Sequence, residues 1–358
     1  MVSLPISCLI DYYSLSLNLL SLSMHIFKNH SLKAYNTFGI DCKSAFFAKV
    51  SSVLELKELL SNPKFLKVSK VFLGGGSNVL FLNDFKGLVV QIDFKGISDL
   101  GNGLVKVQAG ENWHEFVLWS LNQGYNGLEN LSLIPGNTGA APMQNIGAYG
   151  VELKDVFVEL EAFHIASHEI HAFDCESCNF GYRESIFKNK NKGEYIILSV
   201  TLALRNDKVV NTEYGAINQL LHQRGINHPS PKEVSDVVIS IRSSKLPDPK
   251  QIGNSGSFFK NPEVHKSIFE EIQNEYNDVP SYPLNNKEVK IPAAWLIEMA
   301  GWKGRKIGNC GVHEKQALVI VNHGGATGED IYNLALAIQS SVNQKFGIHL
   351  QMEVNVIK

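Results

Sequence analysis

Val71-Phe72-Leu73-Gly74-Gly75-Gly76-Ser77-Asn78-Val79-Leu80-Phe81-Leu82 reads as a strand, a run of three glycines and a second strand. Consecutive glycines turn the backbone sharply and can present main-chain N–H groups to a phosphate with no Cβ in the way. The stretch settles the fold first by exclusion. A G-x-G-x-x-G dinucleotide fingerprint, with Asp93 as its ribose carboxylate, needs a third glycine where Val79 stands. It also needs a helix where residues 78–82 read as strand. No Gly-Lys-Ser/Thr follows the glycines, so a P-loop is excluded as well. Taken alone, the loop is either a phosphate cradle of another kind or a tight turn without a ligand.

A second loop bears on that choice. Residues 136–150, Gly136-Asn137-Thr138-Gly139-Ala140-Ala141-Pro142-Met143-Gln144-Asn145-Ile146-Gly147-Ala148-Tyr149-Gly150, carry four glycines, three alanines and no charge. So small and neutral a segment adds little to a core, yet it lets a flat polar ligand approach the main chain. Two such loops in one chain favour a bound ligand.

Around them the chain is ordinary. Its 358 residues exceed one hydrophobic core. With 33 basic against 35 acidic residues the net charge is −2, which supplies no polyelectrolyte field for nucleic acid. Five scattered cysteines, Cys8, Cys42, Cys175, Cys178 and Cys310, suit reduced thiols in a cytoplasm. Cys175 and Cys178 form a lone C-x-x-C, short of the four ligands of a zinc site, so no metal is expected. Residues 1–23 are rich in Leu and Ser, lack a basic start, and are too interrupted to span a bilayer. They are expected to be a leader foreign to the natural chain or mis-assigned, with Met24 opening the protein proper.

Strands are expected at residues 71–73, 88–92, 104–109 and 196–204. Ser52 with Glu55 predicts a capping box before one helix. Asn112 with Glu115 opens another, which places Trp113, Phe116, Val117 and Leu121 on one face and ends at Gly124. Residues 225–255, with four prolines around one short helix, mark a domain boundary. Beyond it come a helix start at Pro292, a strand at 317–322, a helix over 329–345 capped by Thr327 and stopped by Gly347, and a terminal strand at 350–357. Alternation in that strand puts Gln351, Glu353 and Asn355 opposite the core, which by itself makes Glu353 a solvated carboxylate. Residues 1–23, 24–93, 94–228 and 229–358 are thus expected as leader, two subdomains and a C-terminal domain.

The Gly74-Gly75-Gly76-Ser77-Asn78 loop, residues 134–150, Phe180-Gly181-Tyr182-Arg183-Glu184-Ser185, Gly253-Asn254-Ser255-Gly256-Ser257-Phe258-Phe259-Lys260-Asn261-Pro262 and the final Glu353-Val354 together resemble the UDP-N-acetylenolpyruvoylglucosamine reductases. The likeness runs from about residue 30 to the C-terminus. It implies an α+β fold: a two-subdomain FAD-binding unit of the vanillyl-alcohol oxidase type, then an α+β substrate-binding domain. It also implies a monomeric cytoplasmic enzyme of peptidoglycan synthesis that uses FAD and NADPH to reduce UDP-N-acetylglucosamine enolpyruvate to UDP-N-acetylmuramate. Neither nucleic acid nor membrane is a partner.

By the same resemblance Gly74, Gly75, Gly76, Ser77, Asn78, Pro135, Gly136, Gly139, Asn145, Ile146, Gly147, Ala148, Tyr149, Gly150 and Arg242 hold FAD. Arg183 is the cation at the substrate carboxylate, Ser257 the proton donor to the enolate, and Glu353 completes the proton network. Lys245 and Asn261 bind substrate, and Tyr214 resembles the tyrosine that closes over the diphosphate in one subtype. Glu184 departs from the aspartate often found after the arginine. Read without the resemblance, Arg183 is a surface arginine after an aromatic turn and Gly-Ser-Gly-Ser is a turn. A flavin oxidase on the same scaffold, or a flavin- or nucleotide-sugar-binding protein without turnover, are the competing readings.

Overall fold

The computed structural model describes residues 24–358, so the expected leader and Cys8 lie outside the described residues. Three sheets organise the chain. The first has the strand order Ile26–Ser31, Lys43–Val50, Phe85–Ile92, Lys70–Leu73, with the last two interfaces parallel. Parallel neighbours need a crossover, and helix Val53–Ser61 supplies it, burying Leu56, Leu59 and Leu60 with Val50 and Val90. Ser52 Oγ accepts from Glu55 N at 3.2 Å as the sequence suggests. The reciprocal half of the capping box is displaced by one residue. Glu55 accepts from both Ser51 N (2.6 Å) and Ser51 Oγ (2.9 Å), two donors where Ser52 offers its carboxylate only one.

The second sheet is antiparallel, in the order Ile170–Asp174, Phe157–His164, Tyr195–Ala203, Leu104–Gln108, Ile97–Gly101. Helix Trp113–Asn122 packs Trp113, Phe116 and Val117 into its core, started by Asn112 and released at Gly124, where φ is +84°. The short helix expected within residues 225–255 is in fact 15 residues long, Pro231–Lys245. Ser230 and Glu233 form a full capping box, and Pro231 at the first turn helps the helix start. Its Val234, Val237, Val238 and Ile241 share a small core with Ile217 and Leu221 of helix Gly215–Gln223. The cut expected after residue 228 therefore runs between two helices packed on each other.

The third sheet, in the order Gly253–Ser257, Val319–Asn322, Cys310–Val312, Lys306–Ile307, is covered by helix Gly328–Phe346. Thr327 and Asp330 cap that helix reciprocally, and Gly347 ends it at φ +67°. One hydrophobic core joins the two ends of the chain: Leu32, Phe38, Phe47, Leu80 and Phe81 pack with Phe258, Phe259, Ile338 and Val354.

The terminal segment is the exception to its sequence pattern. Only Asn355–Ile357 forms strand, paired in parallel with Val79–Phe81, the strand that follows the three glycines. Immediately before it, Glu353 N donates to Phe258 O at 2.8 Å, and Lys260 N donates to Gln351 O at 2.9 Å. The tail thus changes partners at Glu353, from the segment after Ser257 to the segment after Gly76. A single ladder cannot run through that exchange, which is why the strand is three residues rather than eight.

Candidate active site

A cleft of about 330 Å³ opens between the three-glycine loop, the loop at 134–147 and the segments that carry Arg183, Ser257 and Glu353. Its two sides differ in kind. One is main chain: Gly74, Gly75, Gly76, Ser77 and Asn78 face Pro135, Ile146 and Gly147. The loops brace each other closely, for Ser77 Oγ donates to Pro135 O at 3.2 Å. A Cβ on Gly75 would stand 2.9 Å from Asn137 Oδ1 and 3.1 Å from Gly136 Cα. Gly76, at φ +62°, has its would-be Cβ against the Tyr35 carbonyl. Among the described residues, the N–H groups of Gly75, Gly76 and Ser77 donate to no protein acceptor. Glycines with no room for a side chain, next to free N–H groups and no charged residue, suit the diphosphate of a dinucleotide such as FAD.

Several residues expected to hold the cofactor shape this wall without lining the cleft. Gly136, at φ +114°, seats Ser77, and Gly139 N donates to Ala109 O at 2.9 Å. Asn145 is buried at φ +43° and ties the wall together, its amide donating to Glu152 Oε2 (3.0 Å) and Gly181 O (3.2 Å). Ala148 lies in a two-stranded hairpin that turns at Tyr149 and Gly150, both at positive φ. Arg242 does line the cleft, its Nε donating to Leu133 O at 3.2 Å beside the Tyr149 hydroxyl.

The other side is charged. Arg183 sits in the left-handed region at φ +55°, fixed by the Gly181–Glu184 backbone pairing. Its Nη2 donates to Gly147 O at 2.6 Å, and its Nε lies 3.6 Å from Glu353 Oε1. The Arg183 side chain is only 22% exposed, so the surface-arginine reading is corrected: its aliphatic stem and fork are drawn inward by Gly147 and Glu353. Glu353, 11% exposed, is likewise no solvated carboxylate. Alternation put it opposite the core, and what lies opposite the core is the cleft. Burial pushes its carboxyl pKa up, against the opposing pull of Arg183, Lys188 and Lys260 and the Gln144 amide. Ser257, exposed at the end of its strand, opens into the same cleft, its turn set by Gly256 at φ +67° and by Asn254 Oδ1 accepting from Gly256 N at 3.0 Å.

The residues expected at the substrate lie further out. Tyr214 is 41% exposed at the start of helix Gly215–Gln223, packed edge-on against Tyr149 with ring centroids 5.1 Å apart. Lys245, at the end of its helix, is exposed and does not line the cleft. Asn261 is also off the cleft lining; its Oδ1 accepts from Ala293 N at 2.9 Å, which starts the helix expected at Pro292. Cys175 is exposed and Cys178 buried, its thiol pushed up to about 12 by burial. No cluster of metal-ligating side chains occurs among the described residues.

Sequence reasoning missed three members of the cleft region. Gln144 links the two sides: it donates to Glu353 Oε1 at 3.1 Å and accepts from Asn78 Nδ2 at 3.0 Å. As the one long polar side chain in residues 136–150, it could have been singled out. Lys260, 10% exposed at its side chain, pairs with Glu184. Burial alone would raise the Glu184 carboxyl; hydrogen bonds from Lys260 and Asn189, with the charges of Lys260 and Lys188, outweigh it and leave it lowered. Lys188 lines the cleft itself.

The family model for the UDP-N-acetylenolpyruvoylglucosamine reductase C-terminal domain matches residues 248–357, and that for an FAD-binding domain matches residues 44–172. The UDP-N-acetylenolpyruvoylglucosamine reductase of Flavobacterium johnsoniae is 52% identical over 340 residues, covering 93% of this chain and 100% of the relative. The chain belongs to this family. The relatives of that name in Amoebophilus asiaticus and Pseudomonas putida are 49% and 46% identical, covering 94% and 91% of this chain and 100% and 97% of their own lengths. The crystal structure of the reductase from Thermus caldophilus superposes with a TM-score of 0.64 at 23% identity, covering 94% of this chain and 99% of that one, which establishes the shared fold. The family architecture is therefore α+β, with an FAD-binding unit and a C-terminal domain, and this member is an FAD-dependent oxidoreductase. Among the described residues no helix is long and apolar enough to cross a membrane.

Proposed function

We propose that the protein reduces UDP-N-acetylglucosamine enolpyruvate to UDP-N-acetylmuramate with electrons from NADPH, as a monomeric cytoplasmic enzyme of peptidoglycan synthesis. One observation carries the reading: Arg183, Ser257 and Glu353, from three distant stretches of chain, line one cleft with the glycine loops. The names of the relatives supply the substrate, and the family model for an FAD-binding domain supports the cofactor. Bound FAD supplies hydride transfer. Residues 74–78, the loop at 135–150 and Arg242 would hold it, and everything else in the step falls to the side chains opposite.

Addition of a hydride to the enolpyruvyl double bond leaves negative charge at the carboxylate-bearing carbon, as an enolate. Arg183 is read as the cation that stabilises this charge, because a guanidinium stays protonated and can grip a carboxylate with two parallel bonds. Ser257 is read as the donor of the proton to that carbon. A hydroxyl is a weak acid, so the step depends on a strongly basic acceptor and on a neighbour that restores the proton. Glu353 suits that second part, since burial favours its protonated form, and Gln144 holds the carboxyl in place. Tyr214, Lys245 and Asn261 are assigned to the sugar nucleotide outside the cleft; burial and then the nearby Tyr282 phenol push the Tyr214 hydroxyl pKa up. The division into residues 24–93, 94–228 and 229–358 belongs to the same reading.

Separating the two halves of the reaction tests it. Purified protein should be yellow, bleach with NADPH under anaerobic conditions, and regain its colour when the enolpyruvyl sugar nucleotide is added. Bleaching by a sugar or alcohol in the absence of NADPH, with colour restored by oxygen and not by the enolpyruvyl sugar nucleotide, would favour the oxidase and overturn this function.

A further inference from the structure

The proposed chemistry leaves one cation of the cleft idle. Lys188 is half-buried, lines the cavity and closes a short helical turn, Ile186–Lys188. That turn is anchored: Ser185 Oγ donates to Met143 O at 2.6 Å and accepts from Phe187 N at 3.3 Å. The ammonium is therefore held at the cleft by a fixed backbone.

Its partners do not match its charge. The Lys188 ammonium donates to a single protein acceptor, the Arg183 carbonyl, at 3.3 Å, and no carboxylate lies within 4.0 Å among the described residues. Its charged neighbours are already committed. Arg183 has Glu353 and Gly147 O, while Lys260 has Glu184. Arg183, Lys188 and Lys260 thus face Glu184 and Glu353, so even with both carboxylates ionised a positive charge remains over, on an ammonium with unused N–H donors. A half-buried charge without a counterion is costly, and burial together with Lys260 lowers the Lys188 pKa accordingly. An incoming anion would remove that cost.

We propose that Lys188 is a second carboxylate-binding residue, gripping the enolpyruvyl carboxylate together with Arg183. This rests on the reductase reading. Its logic is that the Arg183 fork already holds Gly147 O and lies against Glu353, whereas Lys188 brings an ammonium with no carboxylate partner to the same cleft.

The test compares two ligands on flavin-loaded protein, followed by the change in flavin absorbance. UDP-N-acetylmuramate carries the carboxylate, and UDP-N-acetylglucosamine lacks it. For Lys188→Met the dissociation constant of the first should rise by about 10- to 100-fold, the range for a hydrogen bond to a charged group. That of the second, and the rate of bleaching by NADPH, should stay within about twofold. Lys188→Arg should keep carboxylate selectivity. It should also remove the loss of selectivity expected of the natural protein as pH rises through the lowered Lys188 pKa. The charged groups that face Lys188 are Arg183, Glu184, Lys260 and Glu353.

Equal weakening of both ligands, slowed bleaching by NADPH, or an arginine variant as impaired as the methionine one would each overturn the proposal. Natural protein that bleaches but is not reoxidised by the enolpyruvyl sugar nucleotide would instead overturn the function. The two failures are therefore told apart before any variant is made.

Discussion

The two walls of the cleft are built by opposite means. The glycine wall is chiefly main chain: Gly74 to Asn78 and the loop from Pro135 to Gly147 offer N–H groups with Arg242 beside them, and their tolerances are set by backbone atoms, such as the Tyr35 carbonyl under Gly76. The charged wall is assembled from far-apart segments, with Arg183, Lys188, Glu353 and the Lys260–Glu184 pair holding one another. A backbone wall can recognise a shape common to many reactions. A wall of placed charges has to be specific to one, because the charge it leaves uncompensated at rest decides which anion it can take up. Damage to the first should impair retention of the cofactor and therefore both half-reactions. Damage to the second should spare bleaching by NADPH and stop reoxidation by the sugar nucleotide.

The largest separation is expected for Ser257→Ala. Bleaching by NADPH should be within about twofold of normal, while reoxidation by the enolpyruvyl sugar nucleotide falls by about 10³-fold, within the range for loss of a general acid. Rapid mixing of the two half-reactions measures it. Normal reoxidation in the variant would remove Ser257 as the donor and blur the division between the walls.

Glu353→Gln should slow reoxidation by about 10²-fold and, unlike Ser257→Ala, should change stability in a pH-dependent way. The Glu353 carboxyl is raised in the folded state, chiefly by burial. A raised carboxyl favours the fold at low pH and loses that contribution as pH rises through the folded value. The glutamine variant should therefore melt at a higher temperature than the natural protein above that pH, with the difference closing in acid. Melting curves across pH check it; a variant less stable at neutral pH would mean that the ion pair with Arg183 outweighs burial.

The walls also differ in how far the sequence disclosed them. Ser52, Asn112, Thr327 and Gly347 act within a turn of where they stand, so caps, helix ends and the α+β pattern could be read directly. The glycine loops were legible for the same reason, since a run without side chains constrains its own backbone. Helix Pro231–Lys245 was underestimated because prolines were read as punctuation, although Pro231 sits at the first turn, where it favours a helix. On the charged wall, alternation gave the direction of Glu353 but not its surroundings, which depend on Arg183 and on Gln144, 209 residues away. Lys188 and Lys260 had no local signal either. A lysine in a polar segment looks the same whether it faces water or a cleft, and only the resemblance drew attention to this side at all.

Gly76→Ala should break the glycine wall with little effect on the charges. At φ +62° an alanine is strained, and its Cβ would press on the Tyr35 carbonyl. A cost of about 1–3 kcal/mol corresponds to roughly a tenfold or greater loss of flavin affinity, read as lower flavin content after dialysis, with both half-reactions reduced in proportion. Unequal loss would show that the main-chain wall also guides the chemistry.

The mildest change is expected outside both walls. Tyr214 is 41% exposed and does not line the cleft, but its ring meets Tyr149, the residue at the hairpin turn behind the glycine wall, and stands near Tyr282 of the C-terminal domain. Tyr214→Ala removes one face of that aromatic group while leaving the cleft residues in place. The KM for the sugar nucleotide should rise by a few-fold, the value of one lost aromatic contact at about 0.5–1.5 kcal/mol, with flavin content and bleaching unchanged. Tyr214→Phe separates the ring from its hydroxyl. A normal KM in the phenylalanine variant assigns the contact to stacking, whereas a KM as high as that of alanine assigns it to the phenol, as expected if the hydroxyl reaches the diphosphate. If neither substitution alters KM, the nucleotide does not pass this tyrosine, and its recognition falls to Lys245 and Asn261.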